Sequence, residues 1–175
     1  MSLLEANEFK VRKKMESLSL KSGVLRLDFL DTSDALLAYI RVTKGTQLIT
    51  ANDAQGMELF HLQGMNGEAS LPTDPMCLFD ASGNRLAQAK FLEKGGMFKR
   101  PKLAWEDNGL VLLSSESSRG KIALDRENNT LATIEIKGRG LSPFYKLQVR
   151  VSPNADRKDH LLILGMIWML NPIIM

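Results

Sequence analysis

The chain has 175 residues, enough for one domain with a sizeable core, and its 44% hydrophobic and 25% charged content is that of an ordinary globular protein. A formal charge of +3 is too slight for a dedicated nucleic-acid module, so no nucleic-acid partner is expected. The one cysteine, Cys77, excludes an intramolecular disulfide and points to a reducing, cytoplasmic setting. The opening residues, MSLLEANEFKVRKK, hold no apolar run of signal-peptide length. The glycosylation sequon at Asn128-Asn129-Thr130 is therefore read as chance.

Residues 8–20 begin with strict alternation. Phe9 and Val11 fall on one side, Lys10 and Arg12 on the other, which is the period of a half-buried strand. A unit of strand, acidic turn and strand then recurs five times. In the first, Leu25, Leu27 and Phe29 share a face, Asp31-Thr32-Ser33-Asp34 makes the turn, and Leu36, Ala38, Ile40 and Val42 line the return. The others turn at Asp53, Asp80, Asp107 and Asp125. Their uneven spacing argues against a solenoid of fixed period and for a meander of hairpins. A last strand spans residues 144–152, with Tyr145, Leu147, Val149 and Val151 facing one way and Lys146, Gln148 and Arg150 the other.

The final stretch, HLLILGMIWMLNPIIM at 160–175, is of another kind. Residues 161–170 have no polar face, and a helix apolar all round is buried in protein or in lipid. Asp156 and Asp159 suit its N-terminus, and Asn171-Pro172 is expected to stop it. From Asp156 to Leu170 it would measure about 22 Å, against a bilayer core of about 30 Å. A buried helix is the expectation, and a membrane-inserted tail the alternative. Gly165 suits the buried case, because it lets a neighbouring group approach closely. About twelve strands with one apolar face tend to close on themselves. A barrel that wide is not filled by its own side chains, which leaves the apolar helix to occupy the middle. The fold class expected is mainly β: one domain, residues 1–175, built as a closed barrel of about twelve strands around a buried C-terminal helix.

In this pattern the sequence resembles the tubby-like barrel superfamily, and within it the LURP-one-related and phospholipid scramblase branch. The residues that carry the resemblance are 4–15 (LEANEFKVRKKM), 76–91 (MCLFDASGNRLAQAKF) and 121–175, where FYKLQVRV is followed by D-x-x-D and HLLILGMIWML. The resemblance implies a twelve-stranded barrel threaded by its helix. It also implies phosphoinositide binding, as in tubby relatives, or the calcium-linked lipid movement associated with scramblases. The scramblases' cysteine-rich run and proline-rich N-terminal region are absent. At 152–159, where scramblases carry a proposed calcium segment, Arg157 and Lys158 interrupt the acids, so no calcium site is expected.

Catalytic and metal signatures are sparse, and the expectation is a non-enzymatic protein without cofactor or metal. His61 and His160 have no partners at zinc-ligand spacing, and there is no G-x-S-x-G elbow. The glycines of KGRGLSP, 137–143, read as a loop, and so does SSESS, 114–118. The acids of the turns read as turn chemistry. One patch stands out: KFLEKGGMFKRPK, 90–102, reads as a flexible loop with Met97 and Phe98 at its tip and five basic residues against one acid. Lys94, Lys99, Arg100 and Lys102 are the candidate lipid-headgroup residues, since basic side chains beside exposed apolar ones suit an anionic membrane surface. Lys10, Arg12, Lys13 and Lys14 form a second basic run. The function expected is binding of anionic phospholipid or phosphoinositide headgroups by a cytoplasmic protein peripheral to the membrane. The alternatives are a scramblase-like lipid transporter with an inserted helix and a small-molecule-binding barrel.

Overall fold

The computed structural model describes residues 2–15, 25–42, 48–64, 76–93, 102–107, 110–118, 121–137 and 146–174. The fold is mainly β with one C-terminal helix. After a 3-10 turn at Leu3–Glu5 come β1 (Glu8–Met15), β2 (Leu25–Leu30), β3 (Leu36–Val42), β4 (Ile49–Asp53), β5 (Glu58–Gly64), β6 (Met76–Asp80), β7 (Arg85–Glu93), β8 (Lys102–Glu106), β9 (Leu110–Ser118), β10 (Lys121–Arg126), β11 (Asn129–Lys137), β12 (Lys146–Val151) and α1 (Arg157–Ile174). All pairings are antiparallel. Each strand pairs with the next in sequence, and β1 pairs with both β2 and β12.

Alternation dictates which side chains face inward. Leu147, Val11, Phe29 and Ala38 lie opposite one another across β12, β1, β2 and β3, and all four are buried. They share one core with α1, whose residues from Asp159 to Leu170 are buried except for a partly exposed Trp168. The helix approaches strands as far apart in the sheet order as β5, β6, β8 and β11. Each fully buried Leu, Ile or Met on it contributes about 1.5–3 kcal/mol.

Five features set the helix in place. The Trp105 indole N–H donates to the Leu162 carbonyl at 2.9 Å, deep in the core. Gly165, one turn further on, leaves the space this indole and Leu78 fill. A Cβ there would lie 2.5 Å from the Leu78 Cδ1 and 3.0 Å from the Trp105 ring. At the N-terminus Asp156 and Asp159 form a reciprocal cap: the Asp159 N–H donates to the Asp156 carboxylate at 2.8 Å, and the Asp156 N–H to the Asp159 carboxylate at 3.1 Å. Arg126 pairs with the buried Asp159, and Lys158 with Asp107 at 2.7 Å, tying this end to the hairpins β10–β11 and β8–β9.

Two expectations are corrected. The helix does not stop at Asn171-Pro172 but runs to Ile174. A proline in the last turn costs one ladder bond, which a helix held by tertiary packing tolerates. Residues 114–118, expected to be a loop, belong to β9 and pair with β10, with Ser114 opposite Leu124 and Ser115 opposite Ala123. Strand pairing is made by the main chain, so a polar stretch pairs when its neighbours require it. The buried Ser114 hydroxyl also accepts from the Leu103 N–H at 2.8 Å and donates to the Leu103 carbonyl at 3.1 Å. Tyr145 and the glycines at 138 and 140 lie outside the described residues.

Gly165→Ala is expected to destabilise the protein by about 1–3 kcal/mol, because the added methyl displaces a ring anchored by its own hydrogen bond. Trp105→Phe should cost about 0.5–1.5 kcal/mol for that bond alone. Urea unfolding followed by tryptophan fluorescence or circular dichroism measures both.

Candidate functional site

The turn acids build turns. Asp31 accepts at one carboxylate oxygen from the N–H groups of Ser33 (2.8 Å) and Ala35 (2.9 Å) and from the Ser33 hydroxyl. Asp53 accepts from the N–H groups of Gln55 and Met57, and Asp80 from those of Ser82 and Asn84, in the same i+2 and i+4 pattern. The other two differ. Asp107 pairs with Lys158, and Asp125 accepts from the Thr130 hydroxyl at 2.7 Å. The β10–β11 turn is made by Glu127 and Asn128, both at positive φ (47° and 69°), the two-residue geometry whose twist matches the flanking strands.

These bonds hold carboxylates in the charged form. The Ser33 hydroxyl and the Ala35 N–H keep Asp31 below its ordinary value of 3.8, and the Asn84 side chain and N–H do the same for Asp80. The hydrogen bond from Lys158 and its charge lower Asp107. Among the described residues no group of three or more His, Cys, Asp or Glu is arranged to hold a metal ion.

His61 lies on the outer side of β5, bonded to Glu58 at 2.7 Å and stacked on Phe79 with ring centroids 5.2 Å apart. His160 is buried, with Nδ1 3.0 Å from the Asp156 carbonyl and Nε2 without a hydrogen-bond partner. Neither stands beside a nucleophile or a second ligand in the contacts described.

The basic patch is divided. Lys90 lies in β7 and Lys102 in β8, so both ends of the expected loop are strand. Lys102 is paired with Glu93 at 2.7 Å and Lys90 with Glu106 at 3.1 Å, each across the β7–β8 ladder. Lys94, Lys99 and Arg100, with Met97 and Phe98, lie outside the described residues. The second basic run lies on β1. Lys10 and Arg12 reach Asp34 of the β2–β3 turn, at 3.0 and 3.7 Å.

Sequence reasoning passed over two residues that continue this run. Lys14 stands directly opposite Arg26 on β2, and Arg26 opposite Arg41 on β3, all on the outer face. The Arg26 guanidinium lies 4.2 Å from the centre of the Tyr39 ring and bonds Asp28, itself buried. No spacing in the sequence announces this row, because the residues separating the strands do not set their register.

Asp31 and Asp80 contribute stability at a pH above 3.8 that is lost as pH falls through their lower folded-state values. The melting temperature is expected to fall on acidification below about 4, and less steeply in Asp31→Asn and Asp80→Asn. Thermal unfolding between pH 6 and 2.5 checks this.

Among the described residues no helix is long and apolar enough to cross a membrane. Comparison with protein-family models and with curated proteins gives no match. Among solved structures the chain is similar to an X-ray structure of a protein from Arabidopsis thaliana: 14% of residues are identical, 97% of this chain and 94% of that chain are covered, and the TM-score is 0.62. At that identity the likeness is one of fold.

Proposed function

We propose that this chain is a tubby-like closed barrel threaded by α1, of the LURP-one-related and scramblase-like branch, and that it is a non-enzymatic module binding anionic phospholipid or phosphoinositide headgroups at a cytoplasmic membrane surface. The observation that supports this reading is the distribution of charge between the two ends of the strands. In an antiparallel meander the ends of odd strands and the starts of even strands lie together. The other end gathers the short turns, with Asp31, Asp34, Asp53, Asp80, Asp107, Asp125, Glu127 and Asp156 beside Arg85, Arg126, Arg157 and Lys158. The end where odd strands finish and even strands start gathers Lys14, Arg26, Arg41, Lys102, Lys121 and Lys137 at its strand termini, against Glu93. The connections leaving from that end carry Lys21, Lys44, Lys94, Lys99, Arg100, Arg119 and Arg139 against Glu16, Glu68 and Asp74.

Such polarity orients a molecule at an anionic surface, basic end inward, with about 1 kcal/mol gained per basic residue near it. Lys102 starts β8 at this end, and Lys94, Lys99 and Arg100 belong to the sequence between β7 and β8, outside the described residues. Co-sedimentation with neutral, phosphatidylserine and phosphoinositide vesicles tests the reading. Binding only to the anionic vesicles, weakened by salt and by Lys99→Glu with Arg100→Glu, is expected. No binding to any vesicle overturns it. Salt-resistant binding to every vesicle assigns an inserted helix instead. Deleting residues 161–175 is expected to unfold the chain, as removal of its central apolar helix leaves a large cavity.

A further inference from the structure

We infer that the outer face of β1–β4 carries a phosphate-binding row formed by Lys14, Arg26, Arg41 and Thr50. The four residues lie directly opposite one another on consecutive strands, so their side chains leave the sheet on one side. Their sequence neighbours Leu27, Ile40, Ile49 and Ala51 are buried, which fixes the row as outward. Adjacent strands are about 4.8 Å apart, a span that one phosphate group bridges with two of its oxygens.

The composition of the row disfavours a purely structural role. Like charges directly opposite on neighbouring strands destabilise a sheet. Here Lys14 faces Arg26, and Arg26 faces Arg41. Arg26 is oriented from two sides, by the Asp28 carboxylate and by the Tyr39 ring beneath its guanidinium. A guanidinium held in one plane is suited to two-point recognition of phosphate. Lys14 and Arg41 are exposed on either side of it. Thr50 extends the row with a hydroxyl that accepts from the Asn52 amide at 3.4 Å, leaving its proton to donate to an anion. The ligand class is a phosphorylated small molecule or headgroup, and the row is separate from residues 90–102.

The test uses the full chain with inorganic phosphate, soluble inositol trisphosphate and phosphoinositide vesicles as probes. Calorimetric titration is expected to show binding of the soluble probes that weakens about tenfold or more in Lys14→Gln with Arg41→Gln, as expected for loss of charge-assisted bonds. The same double variant should still unfold cooperatively without ligand, as the wild type does, so that lost binding is not lost folding. Arg85→Gln with Arg150→Gln removes equal charge at the exposed short-turn end of β7 and β12 and should leave affinity within about twofold. Loss of vesicle binding together with soluble binding assigns a lipid headgroup, and loss of soluble binding alone assigns a free phosphorylated molecule. The inference is overturned if no probe binds or if the two double variants weaken binding equally. Vesicle binding lost in Lys99→Glu with Arg100→Glu but kept in Lys14→Gln with Arg41→Gln would leave the headgroup reading standing while this row fails.

Discussion

The structure depends on one constraint: α1 has no side that tolerates water. Its buried surface from Asp159 to Leu170 must be covered in every direction, and only strands from distant parts of the sheet order do that. Helix and sheet are therefore each other's core. Neither has an alternative partner for its apolar face, which is why the hairpins, though locally autonomous in their turns, are committed to one arrangement.

Within that core the helix is located by polar contacts. Apolar burial is nearly indifferent to sliding or rotation, since one Leu substitutes for another. The indole of Trp105 on the Leu162 carbonyl is directional, and the gap at Gly165 admits that ring in one place. The Asp156–Asp159 cap and the ion pairs Arg126–Asp159 and Lys158–Asp107 fasten the helix start to two separate hairpins. Burying the Asp159 charge is tolerable only because Arg126 and the Asp156 N–H both reach it.

The outer face follows a different logic. It is free of the packing demand, so charge on it is placed by other requirements. The acids serve the tight turns at one end, where an Asp side chain replaces missing main-chain partners. Among the cations, Arg126 and Lys158 serve that same end by pairing with Asp159 and Asp107, whereas Lys14, Arg26 and Arg41 stand opposite one another toward the other end.

Much of this was legible in the residues. Alternation in Phe9 and Val11, in Leu27 and Phe29, and in Leu147, Val149 and Val151 marks inward faces because a strand has a period of two. The turn role of Asp31, Asp53 and Asp80 follows from a short carboxylate that reaches N–H groups two and four residues on. The unbroken apolar run at 161–170 marks a helix enclosed by protein or by lipid, and Gly165 favours the first. What tertiary structure alone decided is whatever depends on register and on distant partners. Ser114 joins a strand because Leu103 and Leu124 lie beside it, against its own weak preference. Pro172 stays helical because packing outweighs one lost bond. Lys102 is drawn to Glu93, and Lys14, Arg26 and Arg41 are aligned, by pairings between strands whose separating segments leave the register open. Local sequence dictates periodicity and turns, which are properties of neighbours along the chain. The alignment of charges across strands is a property of the whole sheet.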